Sequence, residues 1–272
     1  FAAILADYGV DESGAALLRG AVERAPGTAL PAWAREFRRC FDALMCPDVS
    51  TEERTGVQDV DQNRWSGFLH PLARAASLWR DRGCTVDTTQ LISAQAVSDL
   101  EHALVRRLRE LLGGALDDAL RVHRFLESGG FTTGGLVADS SDPRGTEAVQ
   151  SFIPVLRAGG LKRLFLERPV LARLTAVSVT QWSDATKEYL ERLDADIAGP
   201  VAALAAVQRV PRRGERVEAG LSDPHRGGRT VFKVSFDTGI TLAYKPKSLA
   251  ADCAFHRLLA WLSERGAPAS AG

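Results

Sequence analysis

Apolar residues recur at helical spacing from Phe1 to about Gly199. In the clearest stretch they follow each other at intervals of three or four: Val97, Leu100, Leu104, Leu108, Leu111 and Leu112. Charged residues fill the positions between them, so the pattern predicts an amphipathic helix with one stripe packed on a core. Gly113 and Gly114 come next, and glycine disfavours helix, so we expect the helix to end or loosen there.

A second helical pattern lies in the sequence QWSDATKEYLERLDADIAGP. Ser183 or Asp184 has the right chemistry to cap its start, and Gly199 followed by Pro200 stops it. Two pairs of opposite charges are spaced four residues apart, as on one helix face: Lys187 with Glu191, and Glu188 with Arg192. The sequence also predicts a loop at residues 139–144 and another helix at residues 201–207.

The periodicity changes from helical to alternating after Pro211. Residues 232–236 alternate apolar with polar, residues 237–239 form a turn signal, and residues 240–245 alternate again. This pattern predicts an antiparallel hairpin. Helical spacing returns over residues 251–262, so we expect an α+β fold that is predominantly helical, with the helices segregated from the strands.

Composition and charge restrict the classes of function. The 272 residues are 45% hydrophobic, and Lys+Arg and Asp+Glu both total 34. A chain with no net charge has no general field that draws it to nucleic acid or an anionic membrane, and no apolar run is long enough to span one. The four cysteines form no C-x-x-C pair or regular framework, so we expect reduced thiols and a cytoplasmic location. Because the sequence starts at Phe1 without Met, we expect a fragment of a longer protein.

The most informative stretch is GLSDPHRGGRTVFKVSFDTGITLAYKPKSLA, residues 220–250. Gly227 and Gly228 leave backbone N–H groups accessible, and such groups in a turn can surround an anion. Asp223, His225 and Arg226 would add a metal-capable carboxylate, a proton-transfer group and a fixed cation. These residues make the loop a candidate phosphate site.

Lys245 belongs to the same hypothesis. The alternation of the hairpin predicts that it lies away from the aromatic face, on the side of the loop. Only five lysines accompany 29 arginines, and two of them lie in the sequence YKPK. A compact ammonium suits a crowded phosphate better than a broad guanidinium. The alternative is a simple turn followed by a solvated edge lysine, since the loop matches no standard nucleotide-binding motif.

The sequences SDPHRGGR and YKPKSLA, preceded by GGLKRLFLERPVLARL and WSDATKEYLERL, resemble the dehydratase domain of class II lanthipeptide synthetases. The resemblance extends over residues 159–262. It implies a helical region at residues 1–205 and the beginning of a lipid-kinase-like small lobe at residues 206–272. The cyclase domain of that family, with its zinc, would lie outside this sequence.

The resemblance also implies a chemistry. Members of the family phosphorylate Ser and Thr of a precursor peptide with ATP and Mg²⁺, and then eliminate phosphate to leave dehydroalanine or dehydrobutyrine. Lys245 matches the lysine that contacts the ATP phosphates, and Asp223 and His225 match the acid and histidine of the elimination step. Arg226, Gly227 and Gly228 would contribute to cofactor binding, and no metal ligand is assigned. Expected partners are the precursor peptide and an export transporter.

Two other functions remain open from the sequence. The alternatives to a dehydratase are a non-catalytic helical module that docks the leader segment of a precursor peptide, and a kinase-like enzyme that acts on another substrate. His70, His102, His123 and His256 have no second histidine at helical spacing, so each is interpreted as a packing or surface histidine.

Overall fold

The computed structural model describes residues 29–46, 64–127, 146–199, 212–225, 227–248 and 250–265. These residues form a predominantly helical body followed by a small antiparallel sheet, which confirms the predicted α+β class. The strands within the described ranges all follow residue 212, as the change of periodicity predicts.

The helices before the sheet vary widely in length. They are α1 (Ala32–Met45), α2 (Ser66–Gly83), α3 (Thr88–Leu91), α4 (Ala94–Glu127), α5 (Thr146–Val155), α6 (Leu161–Glu167) and α7 (Pro169–Ala198). A kinked segment, Leu156–Gly160, joins α5 to α6, and Gly159 has a φ of 128° there, a value that glycine tolerates. Helices α2, α4 and α7 bury large apolar side chains in a common core, among them Leu69, Leu104 and Leu190.

Two helix boundaries differ from the predictions. Helix α4 continues through Gly113 and Gly114 to Glu127, because Gly113 is buried and apolar side chains on both sides of it, Leu112 and Leu116, enter the core. Packing of this kind offsets the roughly 1 kcal/mol that a glycine costs in a helix. Helix α7 begins at Pro169, so Ser183 and Asp184 are interior residues and not caps. Gly199 ends α7 as predicted.

The sheet has the strand order β1 (Gly214–Glu218), β2 (Phe232–Phe236) and β3 (Thr241–Tyr244). Strands β2 and β3 form the predicted hairpin, with Phe232 opposite Tyr244 and Val234 opposite Leu242. Strand β1 was not predicted, because only Val217 breaks its run of small and charged residues. It pairs with β2 through a register irregularity between Gly214 and Arg216.

Helix α4 holds the sheet through polar contacts as well as apolar ones. The Asp99 carboxylate accepts hydrogen bonds from the backbone N–H of Val217, at 3.0 Å, and from Arg216 Nε, at 2.8 Å. The Ser93 hydroxyl donates to the carbonyl of Glu215 at 2.8 Å. Val217, Phe232, Val234 and Phe236 are buried in the same core as the helices. The sheet therefore rests directly on the helical body.

The last helix, α8 (Ala250–Glu264), forms over the stretch where the sequence predicts it. Within it no residue is buried, and the large apolar side chains Phe255, Leu258, Leu259 and Trp261 are exposed. Other predictions fall outside the described residues: the loop at 139–144, the helix at 201–207 and the domain boundary near 205. The division of the chain into two domains stays a prediction.

Candidate functional site

A groove of about 380 Å³ lies between the second half of α7 and the β2–β3 hairpin. Its lining is partly apolar, from the core face of the hairpin, and partly charged. The apolar part comes from Tyr189, Leu193, Val234, Leu242 and Tyr244, and the remaining lining residues are Arg192, Asp196, Ala243, Lys245 and Lys247. Lys245, the lysine predicted to bind phosphate, therefore lies at a depression of the surface, together with Lys247.

The rings of Tyr189 and Tyr244 line one wall of the groove, and Phe232 stacks on Tyr189. The rings of Tyr189 and Phe232 are nearly parallel, with centroids 4.6 Å apart, and Tyr244 meets Tyr189 edge-on at 5.3 Å. Offset stacks of this kind are favourable beyond the area that they bury. Burial raises the pKa of both tyrosine hydroxyls. These ring contacts join α7 to the sheet.

The charge of the groove is positive. Arg192, Lys245 and Lys247 contribute three cations against the one carboxylate of Asp196. Among the described residues, no carboxylate lies within ion-pair distance of Lys245 or Lys247. Lys245 follows directly after β3, where strand alternation no longer fixes which side a residue takes. The structure thus brings Lys245 to a cationic groove, and its predicted orientation away from the aromatic face stays a prediction.

Glu188 connects this groove to the loop that precedes β2. One of its oxygens, Oε1, lies 2.6 Å from Arg192 Nη2, and the other, Oε2, lies 2.6 Å from both Nε and Nη2 of Arg229. Arg192 in turn donates from Nη1 to the Tyr244 hydroxyl at 3.1 Å. A continuous set of polar contacts therefore extends from the loop to the residue next to Lys245.

The loop is itself a short hairpin. His225 and Arg229 exchange two backbone hydrogen bonds, each 2.9 Å long, and the N–H of Leu221 donates to the carbonyl of Val231 at 3.2 Å. Gly227 and Gly228 form the tip with φ values of 86° and 83°, in the left-handed region that favours glycine. The backbone of His225 is therefore fixed, while its side chain and that of Asp223 are exposed.

Close contacts also favour glycine at position 228. A β-carbon at this position would lie 2.9 Å from Gln181 Cβ and 3.0 Å from Arg107 Nη1. Arg107 donates to Gln181 Oε1 at 2.7 Å, and burial lowers its pKa. The tip of the loop is consequently packed on α4 and α7, which limits its role as an open phosphate-binding turn.

The predicted site residues thus fall into two groups. Lys245 lines the groove, whereas Asp223, His225, Gly227 and Gly228 belong to the loop. Arg226 lies outside the described residues. No cluster of three or more His, Cys, Asp or Glu side chains able to hold a metal ion occurs within the described ranges.

The rings of His70 and His102 meet edge-on with centroids 4.8 Å apart, a contact between α2 and α4 that helical spacing could not reveal. The neighbouring carbonyl of Ser98 lies 2.7 Å from His102 Nδ1. These two imidazoles pack together in the body of the protein.

Sequence reasoning missed two members of the site. Their spacing predicts that Glu188 and Arg192 form an ordinary ion pair on the helix surface, and the structure contains that ion pair. Nothing in their spacing indicates that Glu188 also contacts Arg229, 41 residues away, or that Arg192 reaches Tyr244, 52 residues away. The only local signal is the number of charged residues on this stretch of α7.

Comparison with known families adds one result. Residues 169–271 match the family model of a domain of unknown function (DUF4135), a domain found in lanthipeptide-synthetase-like proteins. The matched range includes all of α7, the loop, the sheet and α8, and thus the groove. No curated protein matches the chain. None of the helices in the described ranges combines the length and the apolar character needed to cross a lipid bilayer.

Proposed function

We propose that this chain supplies the phosphate-handling groove of a lanthipeptide dehydratase, which phosphorylates Ser and Thr of a precursor peptide and then eliminates the phosphate. The main support is the cationic groove that contains Lys245, joined by Glu188 to the loop that contains His225. The family match over residues 169–271 and the resemblance of the loop and YKPK sequences support the same function.

Lys245 would act in the first half-reaction. Phosphoryl transfer needs alignment and neutralisation of charge far more than it needs covalent help from the protein. Lys245 and Lys247 are two ammonium groups at one end of the groove, and Arg192 adds a planar cation on the opposite wall. Lys245 and Lys247, with Arg192 whose charge Glu188 partly compensates, would provide positive charge to neutralise a polyphosphate.

His225 and Asp223 would act in the second half-reaction. Elimination removes the α-proton of the phosphorylated residue, forms the Cα–Cβ double bond and releases phosphate from Cβ. An imidazole on a fixed backbone can take up the proton, and a carboxylate two residues away can orient it. Both side chains are exposed, so a peptide has access to them.

ATP would supply the phosphoryl group when bound. The cations of the groove fit its phosphates in charge, and the tyrosine wall offers an apolar surface beside them. Within the groove Asp196 is the only carboxylate among the described lining residues, and in ATP sites Mg²⁺ takes one or two carboxylates together with phosphate oxygens and waters. Magnesium itself enters this proposal through the family resemblance.

The proposal is tested by binding of inorganic pyrophosphate and ATP to the 272-residue chain, measured by isothermal titration calorimetry. Lys245→Met should weaken binding at least about 10-fold, since a lost charged contact to phosphate costs roughly 1.5 kcal/mol or more. Lys233→Met is the matched control. Lys233 pairs with Glu218 at 2.8 Å and does not line the groove, so its loss should change affinity less than about two-fold.

Three results would contradict the proposal. If the wild-type chain binds neither pyrophosphate nor ATP, a leader-peptide docking module becomes the better interpretation. If both lysine substitutions weaken binding equally, the attraction is a general surface effect and the groove is not the site. Binding of ATP, without any modification of a precursor peptide by the full-length protein that contains this chain, would instead favour a kinase-like enzyme for another substrate.

A further inference from the structure

We infer that Glu188 is a positioning residue, which holds the His225 loop beside the cationic groove. The inference rests on the proposed function for its chemical consequence, although the contacts themselves do not depend on it. Glu188 sits on α7 at the junction of the two groups of site residues, with one oxygen toward each. Its side chain is 22% exposed, so both ion pairs are partly shielded from water.

On the loop side, Glu188 binds the residue that closes the hairpin. Arg229 presents Nε and Nη2 to Oε2 of Glu188, each at 2.6 Å, so two donors of its guanidinium fix its direction. The backbone of Arg229 makes both of the hydrogen bonds that hold His225. The ion pair that holds Arg229 therefore also holds the backbone of His225.

On the groove side, Glu188 orients a cation that lines the site. Its Oε1 lies 2.6 Å from Arg192 Nη2, and this leaves Nη1 of Arg192 to donate to the Tyr244 hydroxyl. Arg192 also lies over the Tyr244 ring, with Cζ 5.9 Å from the centroid. The guanidinium is thereby held between α7 and β3, directly before Lys245.

This arrangement differs from an ordinary helix-surface pair. An exposed pair four residues apart contributes a few tenths of a kcal/mol and can form in an isolated helix. The contact of Lys187 with Glu191 on the same helix is of that kind, with 3.9 Å between Nζ and Oε1, and the further hydrogen bonds to Glu191 come from the neutral Thr85. Glu188 instead receives two guanidinium groups from separate parts of the fold. Because it is anchored on α7, it sets the distance between the loop and the groove.

The effect of removing the Glu188 charge on anion affinity distinguishes a positioning role of Glu188 from a role in phosphate binding. Glu188 is negative and lies beside a groove of positive charge, so it opposes the entry of an anion. Replacing it with Gln should leave pyrophosphate affinity unchanged or increase it, because Arg192 keeps its charge and its tyrosine partner. The same replacement should loosen the loop, because a neutral amide holds a guanidinium less strongly than a carboxylate does.

Hydrogen–deuterium exchange on the 272-residue chain tests the structural part directly. In Glu188→Gln, the amides of His225 and Arg229 should exchange at least about 5-fold faster than in the wild type, as expected for loss of a partly shielded charged hydrogen bond. Glu191→Gln removes the same charge three residues away and should leave these amides unchanged. Unchanged exchange in Glu188→Gln, or equal acceleration in Glu191→Gln, would overturn the inference.

A double-mutant cycle distinguishes loss of the contact between Glu188 and Arg229 from a general loss of stability. Arg229→Gln removes the loop partner and leaves the pair of Glu188 with Arg192 intact. If Glu188 acts through Arg229, the double variant should exchange no faster at His225 than either single variant does. Fully additive effects would contradict a shared contact. The amides of β2 and β3 report the stability of the sheet, and they should keep their wild-type rates in all three variants.

The chemical part is tested by mass spectrometry of a precursor peptide treated with the dehydratase that contains this chain. Glu188→Gln should accumulate phosphorylated peptide, since the cations remain while the imidazole is no longer held in place. Glu191→Gln should yield dehydrated peptide. A residue needed only for folding would lose both half-reactions together, so untouched peptide or wild-type dehydration from Glu188→Gln would overturn the inference. If wild-type protein fails to bind pyrophosphate, the proposed function fails, and the exchange experiment still decides how the loop is held.

Discussion

Gly228 lies so close to Gln181 that a β-carbon on the glycine would come within 2.9 Å of the Cβ of Gln181. On the other side, Arg107 Nη1 would be 3.0 Å from the same added atom. The loop that carries His225 is therefore packed at its tip on α7 and α4, and tied at its base to Glu188. Two separate contacts with α7 determine where the backbone of His225 lies.

The close approach predicts different costs for two neighbouring substitutions. Gly227→Ala and Gly228→Ala both force a left-handed backbone on alanine, which costs roughly 1–2 kcal/mol. Only Gly228→Ala adds a collision, so it should lower the free energy of unfolding by about 1–3 kcal/mol more than Gly227→Ala, as overpacking does. Urea denaturation measures both. Equal costs would show that the loop is not packed on Gln181 in solution.

The proposed division of chemistry predicts distinct products from two substitutions. Lys245→Met should leave the precursor peptide unphosphorylated, because a missing cation weakens transfer before any phosphoester exists. His225→Ala should accumulate phosphorylated Ser or Thr, because a well-placed acid or base contributes about 10²- to 10⁴-fold to its own step. Mass spectrometry separates the products. Untouched peptide from His225→Ala would mean that the histidine serves transfer or structure instead.

The two tyrosines of the groove wall predict opposite changes in stability. Tyr189 is fully buried, and among the described residues its hydroxyl has no hydrogen-bond partner. Tyr189→Phe should thus leave the free energy of unfolding unchanged or raise it by up to about 1 kcal/mol. Tyr244→Phe loses the hydrogen bond from Arg192 and should cost about 0.5–1 kcal/mol. Destabilisation by Tyr189→Phe would indicate a partner for that hydroxyl, and lower pyrophosphate affinity would place the partner in the groove.

The cysteines predict an order of reactivity and a dependence on pH. Burial raises the pKa of Cys40 from 9.0 to about 12, and the charge of Glu36 adds to the effect. Iodoacetamide at pH 8 should therefore alkylate the exposed Cys46 and Cys253 well before Cys40, as peptide mass spectrometry would show.

The same shift links Cys40 to stability. Because its pKa is higher in the folded state, the contribution is fully present below about pH 9 and declines as the pH rises toward 12. Between pH 9 and 12, the free energy of unfolding of the wild type should fall with pH more steeply than that of Cys40→Ala, by about 1 kcal/mol per pH unit. Cys46→Ala should show the same pH dependence as the wild type. If the free energy of unfolding depends on pH in the same way for all three proteins, the Cys40 thiol has the same pKa in the folded and the unfolded protein.

Local periodicity predicted most of the regular structure correctly. The stripe from Val97 to Leu112, the pairs on α7 and the alternation of β2 and β3 all depend on residues within a few positions of each other. Where packing opposed a local preference, prediction failed. Gly113 remains helical because its neighbours enter the core, and Ser183 is no cap because α7 already extends back to Pro169.

The sequence by itself determined the α+β class, the hairpin and the choice of loop and lysine as candidate chemistry, because side-chain type and spacing are local properties. Tertiary structure alone decided that Lys245 lines a groove with Arg192, that Gly228 packs on Gln181 and that Glu188 contacts Arg229. These contacts join residues 41 or more positions apart, and no short-range pattern encodes which of many exposed charges will meet. Packing of α7 against α4 and the sheet fixes those distances, since only the folded core brings the three elements together.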